Sequence, residues 1–261
     1  MTADESFKAG HLQAAIDAQI ADVKSNPADA GKRLFLFELL SFAGEWDRAK
    51  RQIEAVSYPD PERIATVLKY KTLLGAEDHR TRVFRDGVMP EFLLPPPPWM
   101  SHRLQAIAEI KAGDWERASA ELAKSDEAAP PVTGDLNEQP VEGLRDGDDL
   151  FGPVLEVLAQ ATYYWVPFEQ IEMLAMNPPK TPRDLIWFPA KISLKDGPSG
   201  DVFLPTRYPM STAGTNDSIR LGRATEWTDD ESRPVRGTGL RVFLAGDRAF
   251  SLLDFREFQS R

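Results

Sequence analysis

Ala9-Gly10-His11-Leu12-Gln13-Ala14-Ala15, Ala43-Gly44-Glu45-Trp46-Asp47-Arg48-Ala49 and Ala112-Gly113-Asp114-Trp115-Glu116-Arg117-Ala118 are three copies of one pattern, Ala-Gly-x-(Leu/Trp)-x-x-Ala. Gly10 and Gly44 lie 34 positions apart, and Gly44 and Gly113 lie 69 apart, about twice that period. Pro27, Pro61 and Pro130 each follow one of these glycines by 17 positions. Pro95 falls in the slot of one further unit, whose glycine slot holds Asp78.

The pattern describes a helix hairpin. Glycine ends one helix, because a residue without Cβ accepts the left-handed turn. Trp46 or Trp115 opens the second helix, Ala49 or Ala118 lets the two helices approach, and proline stops the pair. A period of about 34 residues is the tetratricopeptide (TPR) signature. It predicts a TPR-like array of four units over residues 1–130, with the third unit degraded. Phe37 and Gln19 depart from the consensus small and apolar positions. Ile64, Val67, Leu68, Leu73 and Leu74 predict an amphipathic helix capped by Asp60-Pro61-Glu62.

Asp86-Gly87 and the four prolines 95–98 interrupt the array as a stiff polyproline connector, a composition that also suits aromatic grooves. Residues 131–150 read as an acidic, Pro/Gly-rich linker. Residues 151–261 read as an aromatic-rich α+β domain holding a small antiparallel sheet or barrel. Helices are expected near Pro153–Gln160 and Phe168–Ala175. Strands are expected at 185–188, 191–194 and 201–204, with a turn at Lys195-Asp196-Gly197. A second hairpin is expected from 241–244 and 249–252. The fold class is therefore α+β.

The chain has no Cys, a formal net charge of −10 and an acidic amino terminus. Disulfides and thiolate metal sites are excluded, and neither a signal peptide nor an apolar run long enough to span a membrane is visible. A cytoplasmic protein is expected, with no membrane partner. The acidic balance argues against nucleic acid, which needs a basic face; six arginines between 207 and 241 are offset by Asp217, Glu226, Asp229, Asp230 and Glu231.

No catalytic constellation stands out. His11, His79 and His102 are dispersed and lack ligand-spaced partners. Asp146, Asp148 and Asp149 resemble the start of a calcium loop but lack its glycine and terminal glutamate, so a solvated acidic linker is the simpler reading. The aromatics Tyr163, Tyr164, Trp165, Phe168, Trp187, Tyr208 and Trp227 have two readings: the core of a small domain, or an interface of the type enriched in aromatics and arginine.

Five ordered stretches carry a resemblance: Gly152-Pro153-Val154-Leu155-Glu156, Tyr163-Tyr164-Trp165-Val166-Pro167-Phe168, Arg183-Asp184-Leu185-Ile186-Trp187, Pro205-Thr206-Arg207-Tyr208-Pro209, and Arg220-Leu221-Gly222-Arg223-Ala224-Thr225-Glu226-Trp227. Together the sequence resembles the ImpE family, also called TagJ or SciE-type proteins, accessory components of bacterial type VI secretion. The resemblance says least at 132–147 and after Thr228. It implies a non-enzymatic protein with no cofactor, no metal and no catalytic residues. It further implies binding to a short N-terminal helix of the small sheath subunit, with an influence on sheath assembly or on disassembly by the ClpV ATPase. The expected partner-binding residues are Tyr163, Tyr164, Trp165, Phe168, Trp187, Arg207, Tyr208, Arg223 and Trp227. A generic TPR adaptor for another protein is the alternative. An enzyme would require a polar pocket around Arg207, Arg223 and Glu226.

Overall fold

Three helix hairpins turn at the glycines of the repeated pattern. Gly10, Gly44 and Gly113 have φ of 88°, 73° and 78°, the left-handed region that a side chain disfavours. A computed structural model describes residues 1–261. The hairpins join α1 (Ala3–Ala9) to α2 (Leu12–Ser25), α3 (Ala30–Phe42) to α4 (Trp46–Glu54), and α6 (Met100–Ala112) to α7 (Trp115–Ala128). Trp46 and Trp115 are the first residues of their helices, and Ala49 and Ala118 are fully buried. Between the second and third hairpins lies α5 (Pro61–Asp86), capped by the Asp60 side chain accepting from Arg63 N at 2.9 Å. Successive helices pack on one another from α1 to α7.

The third unit is not a hairpin. Helix α5 runs unbroken through Asp78 to its cap at Gly87: no proline follows Pro61, Gly75 keeps a helical conformation, and the buried series Val67, Tyr70, Leu73, Leu74, Ala76, Val83 continues past the expected turn.

The remainder forms β1 (Thr133–Leu136), β2 (Gln139–Glu142), β3 (Arg145–Asp146), β4 (Val154–Ala159), β5 (Thr162–Pro167), β6 (Ile171–Met176), β7 (Trp187–Leu194), β8 (Ser199–Pro205), the short helix α8 (Asp217–Arg220), β9 (Thr225–Trp227), β10 (Gly237–Gly239), β11 (Val242–Ala245), β12 (Arg248–Ser251) and β13 (Glu257–Ser260). Eight strands make an open antiparallel sheet in the order β2-β1-β13-β6-β7-β8-β4-β5. A three-stranded sheet, β12-β11-β3, and a β9–β10 ribbon accompany it. The chain is thus a mixed α+β structure, with a larger sheet than expected and no barrel.

Several expectations are corrected. The supposed linker 131–150 contributes β1, β2 and β3. Asn137 and Glu138, with φ of 50° and 64°, make a two-residue hairpin turn without the usual glycine. Val132, Leu136, Val141 and Leu144 are few but all buried. The expected helix near Pro153–Gln160 is β4, and the one near Phe168–Ala175 is a single 3-10 turn followed by β6. Strand β4 is covered on both faces, so Val154 to Leu158 show no alternation to distinguish strand from helix. The strands expected at 185–188 and 191–194 are one strand, β7, paired with β8 around the anticipated turn. The β11–β12 hairpin forms as expected.

The sheet faces two ways. Val154, Leu158, Tyr163, Trp165, Trp187 and Phe203 share a core with α1–α6. Leu155, Val157, Val166, Phe168, Phe188 and Leu204 share another with Phe243, Leu252 and Phe255. Helices, the large sheet and the small sheet therefore stack as three layers, and the helical face toward the sheet is already covered. No helix is long and apolar enough to cross a membrane.

Candidate functional site

The seam between helices and sheet is built on buried charge. Arg80, from α5, places Nε 2.7 Å and Nη2 3.1 Å from the two oxygens of Glu156 in β4. Its Nη2 also donates to the Arg207 carbonyl at 2.8 Å. Arg241 pairs with both Glu156 and Asp146, and its guanidinium lies 4.7 Å from the Phe151 ring centroid and 4.8 Å from that of Tyr208. Aromatic side chains supply the remaining donors. Tyr163 Oη donates to Glu156 at 2.5 Å, Trp165 Nε1 to Tyr163 Oη at 2.6 Å, Trp187 Nε1 to Glu77 at 2.8 Å and Tyr208 Oη to Asp146 at 2.8 Å. Each of these charges faces an opposite charge, and the carboxylates also accept from aromatic donors, the condition under which charges are buried.

Burial sets their protonation. Desolvation pushes Asp146 up to about 6 against the pull of Arg241, and raises the phenols of Tyr163 and Tyr208, which therefore stay neutral donors. Desolvation also lowers Arg207 to about 10, leaving it cationic near neutral pH.

A second set of arginines from the sheet side ends helices. Arg207 Nη1 donates to Phe42 O at 2.8 Å and to Arg220 O, and Arg207 Nη2 reaches Ser41 O at 3.3 Å. It thus serves the carboxyl ends of α3 and α8, where carbonyls are orphaned and the helix dipole favours a cation. Arg223 does the same for α1, donating to Phe7 O at 2.7 Å and Lys8 O at 3.1 Å. The repeat glycines accommodate this contact. A Cβ on Gly10 would lie 3.0 Å from Arg223 Nη1, and one on Gly44 would lie 2.5 Å from Thr212 Oγ1. Gly113 meets nothing within 4 Å and serves its turn alone.

Beside this network opens a cleft of about 320 Å³ between α5 and the 205–213 loop. Glu77, Arg80, Thr81, Phe84 and Arg85 line one wall, and Trp46 and Ile186 join them. Pro205, Arg207, Tyr208, Pro209, Met210, Ser211, Thr212 and Ala213 line the other. The loop is pinned: Ser211 Oγ donates to Tyr208 O at 2.6 Å and accepts from Gly239 N at 2.8 Å. Met210 projects from it, 67% exposed, with φ of 67°.

Most of the aromatic set expected at an interface is interior. Tyr163, Trp165, Phe168 and Trp187 are fully buried, and Tyr208 and Arg207 nearly so. Strand alternation sends Tyr163 and Trp165 to the helix side and Tyr164 and Phe168 to the other, where Tyr164 is half-buried. Trp187 packs among Phe37, Trp46 and Tyr70. These side chains fill the seam and offer no surface to a partner. Arg223 and Trp227 are exposed, and Arg207 and Tyr208 touch the cleft. Arg207, Arg223 and Glu226 do not share a pocket: Arg207 alone lines the cleft, and Glu226 accepts from Asn216 at 2.9 Å. Asp146 and Asp148, expected in a solvated linker, are fully buried, Asp148 being held by Arg236.

Sequence reading missed Glu77, Arg80, Asp146 and Arg241 as one network. The available signal was charge at core positions: Glu77 and Arg80 interrupt the apolar stripe of α5. Met210 and Arg85 left no signal.

A family model described as "ImpE protein" matches residues 138–259, the sheet part including the segment after Thr228. The type VI secretion system accessory component TagJ of Pseudomonas aeruginosa is 37% identical over 257 residues, covering 98% of this chain and 90% of that one. The crystal structure of a Vibrio parahaemolyticus protein superposes with a TM-score of 0.90 at 23% identity, covering 99% of this chain and 97% of that one, so the whole α+β arrangement recurs.

Proposed function

The chain belongs to the ImpE/TagJ family, and from that premise we propose that it is a non-enzymatic accessory component of a type VI secretion system, acting by binding a protein partner. The partner is the small sheath subunit, engaged through its short N-terminal helix, and engagement modulates sheath assembly or its disassembly by the ClpV ATPase. The helices act as a TPR-like array whose sheet-facing side is filled by the chain's own C-terminal half. The 1–130 and 151–261 portions therefore work as one body, joined by a shared core.

The observation that carries this reading is the cleft at the seam. It sets apolar side chains beside arginines, is pinned on both walls and is backed by a network of paired charges. Such a site is suited to a side chain presented by a partner. The wall residues Arg207 and Tyr208 are the members of the expected binding set placed to shape it. A titration of the full chain with a peptide from the small sheath subunit's N-terminus tests the reading. Binding in the micromolar range supports it. No heat at concentrations on the order of 100 µM overturns it. A pull-down dominated by proteins unrelated to secretion favours a generic adaptor instead.

A further inference from the structure

The cleft has a length, a charge and a strained lip, and together these define its occupant. Glu77, Arg80, Thr81, Phe84 and Arg85 follow helical spacing along one face of α5. At 1.5 Å per residue this wall is about 12 Å long, roughly two helical turns. Its lining holds three arginines and one glutamate, on a chain whose net charge is −10. Arg80 and Arg207 are committed within the structure, to Glu156 and to helix carbonyls. Arg85 is 65% exposed, and its contact is Asp86, itself 42% exposed. An exposed pair of this kind contributes little and exchanges readily.

Met210 stands opposite. A methionine with φ of 67° occupies a left-handed conformation suited to glycine or asparagine and disfavoured by a larger side chain. Two hydrogen bonds at Ser211 hold the loop there. The result is a flexible, apolar side chain presented to solvent at the cleft mouth, the kind that adapts to an incoming surface.

We propose that the cleft receives a two-turn helix of the protein partner. One aliphatic or aromatic side chain of that helix inserts between Met210, Phe84 and Trp46, and a carboxylate one turn away pairs with Arg85 in place of Asp86. This rests on the proposed binding function and adds the site and the side-chain chemistry it selects. An acidic face on the partner would be repelled by most of this chain and attracted here, which fixes the docking position.

The test is a calorimetric titration of the small sheath subunit's N-terminal peptide into the full chain and three exposed-site variants: Met210→Glu, Arg85→Glu and Leu68→Glu. Leu68 is 55% exposed near the start of α5, outside the cleft, and serves as control. Met210→Glu weakens binding at least about tenfold, and Arg85→Glu does so by about tenfold at low salt and less at high salt. Changing one acidic residue of the peptide to lysine restores binding to Arg85→Glu, which a merely structural defect would not allow. Leu68→Glu binds as the unchanged chain does. Unaltered binding by Met210→Glu and Arg85→Glu overturns the cleft assignment while leaving the binding function standing. Failure of the unchanged chain to bind the peptide overturns the function, and this proposal with it.

Discussion

Gly44→Ala separates a turn requirement from an interlock between the two halves of the chain. Gly44 and Gly113 occupy equivalent turns, with φ of 73° and 78°. An alanine in that conformation costs about 1 kcal/mol. At Gly113 nothing lies within 4 Å of the added Cβ, so the loss there is this turn cost alone. At Gly44 the Cβ would lie 2.5 Å from Thr212 Oγ1, 2.6 Å from its Cβ and 3.0 Å from its Cγ2, distances that force the 205–213 loop to move. Overpacking of this kind adds about 1–3 kcal/mol, for a total of about 2–4. The expected result in urea denaturation is a loss at Gly44→Ala two to four times that at Gly113→Ala, with unchanged m-values. Because Thr212 Cβ is itself too close, Thr212→Ala does not relieve the clash, whereas Thr212→Gly does. The Gly44→Ala/Thr212→Gly cycle should therefore show coupling of about 1–3 kcal/mol. Equal losses at the two glycines, or a cycle with no coupling, refute the claim that the C-terminal loop locks onto the repeat turn.

Glu156→Ala leaves Arg80 and Arg241 buried without their shared carboxylate and should cost about 3–5 kcal/mol, read as a large drop in the urea midpoint; a loss under 1 kcal/mol contradicts the network. Trp187→Phe keeps an aromatic ring in the core but removes the 2.8 Å donor to buried Glu77 and part of the buried indole, for a loss of at least about 1 kcal/mol by the same assay. Asp146, faced by Arg241, Tyr208 and Asp148, carries its proton up to about pH 6 in the folded chain but only to about 4 when unfolded. Its contribution is therefore fully present below pH 4 and lost as pH rises through 6, a change of about 3 kcal/mol. Asp146→Asn should flatten that part of the stability–pH curve, and an unchanged slope counts against the assignment.

Legibility in the sequence followed the range of the interaction. The hairpins around Gly10, Gly44 and Gly113 were readable because a left-handed turn, a capping position and a small packing residue are all set within seven positions. The β7–β8 and β11–β12 hairpins were readable for the same reason. The errors lie where tertiary contact overrides local pattern. Strand β4 has apolar residues on both faces, so its period vanishes and it passes for a helix. The 131–150 segment looks like a solvated linker because its acids are numerous, yet Asp146 and Asp148 are buried by Arg241 and Arg236, 95 and 88 residues away. Nothing local announces such a partner.

The aromatic motifs show why family resemblance and binding surface need not coincide. Tyr163, Trp165, Trp187 and Tyr208 each have an apolar body and one polar tip, and each tip is spent on a buried carboxylate or on the next aromatic in the chain of donors. A plain hydrophobe in their place would leave Glu77, Glu156 or Asp146 short of a donor, which is costly in a dry interior. The identity of these residues is thus demanded by the seam, with no need of a partner to explain it. Arg207 and Arg223 are likewise accounted for by the helix ends they serve. On the proposed binding function, recognition rests on side chains that internal contacts leave unexplained, and Met210 is the clearest: exposed, apolar, and held in a conformation that glycine would adopt at lower cost.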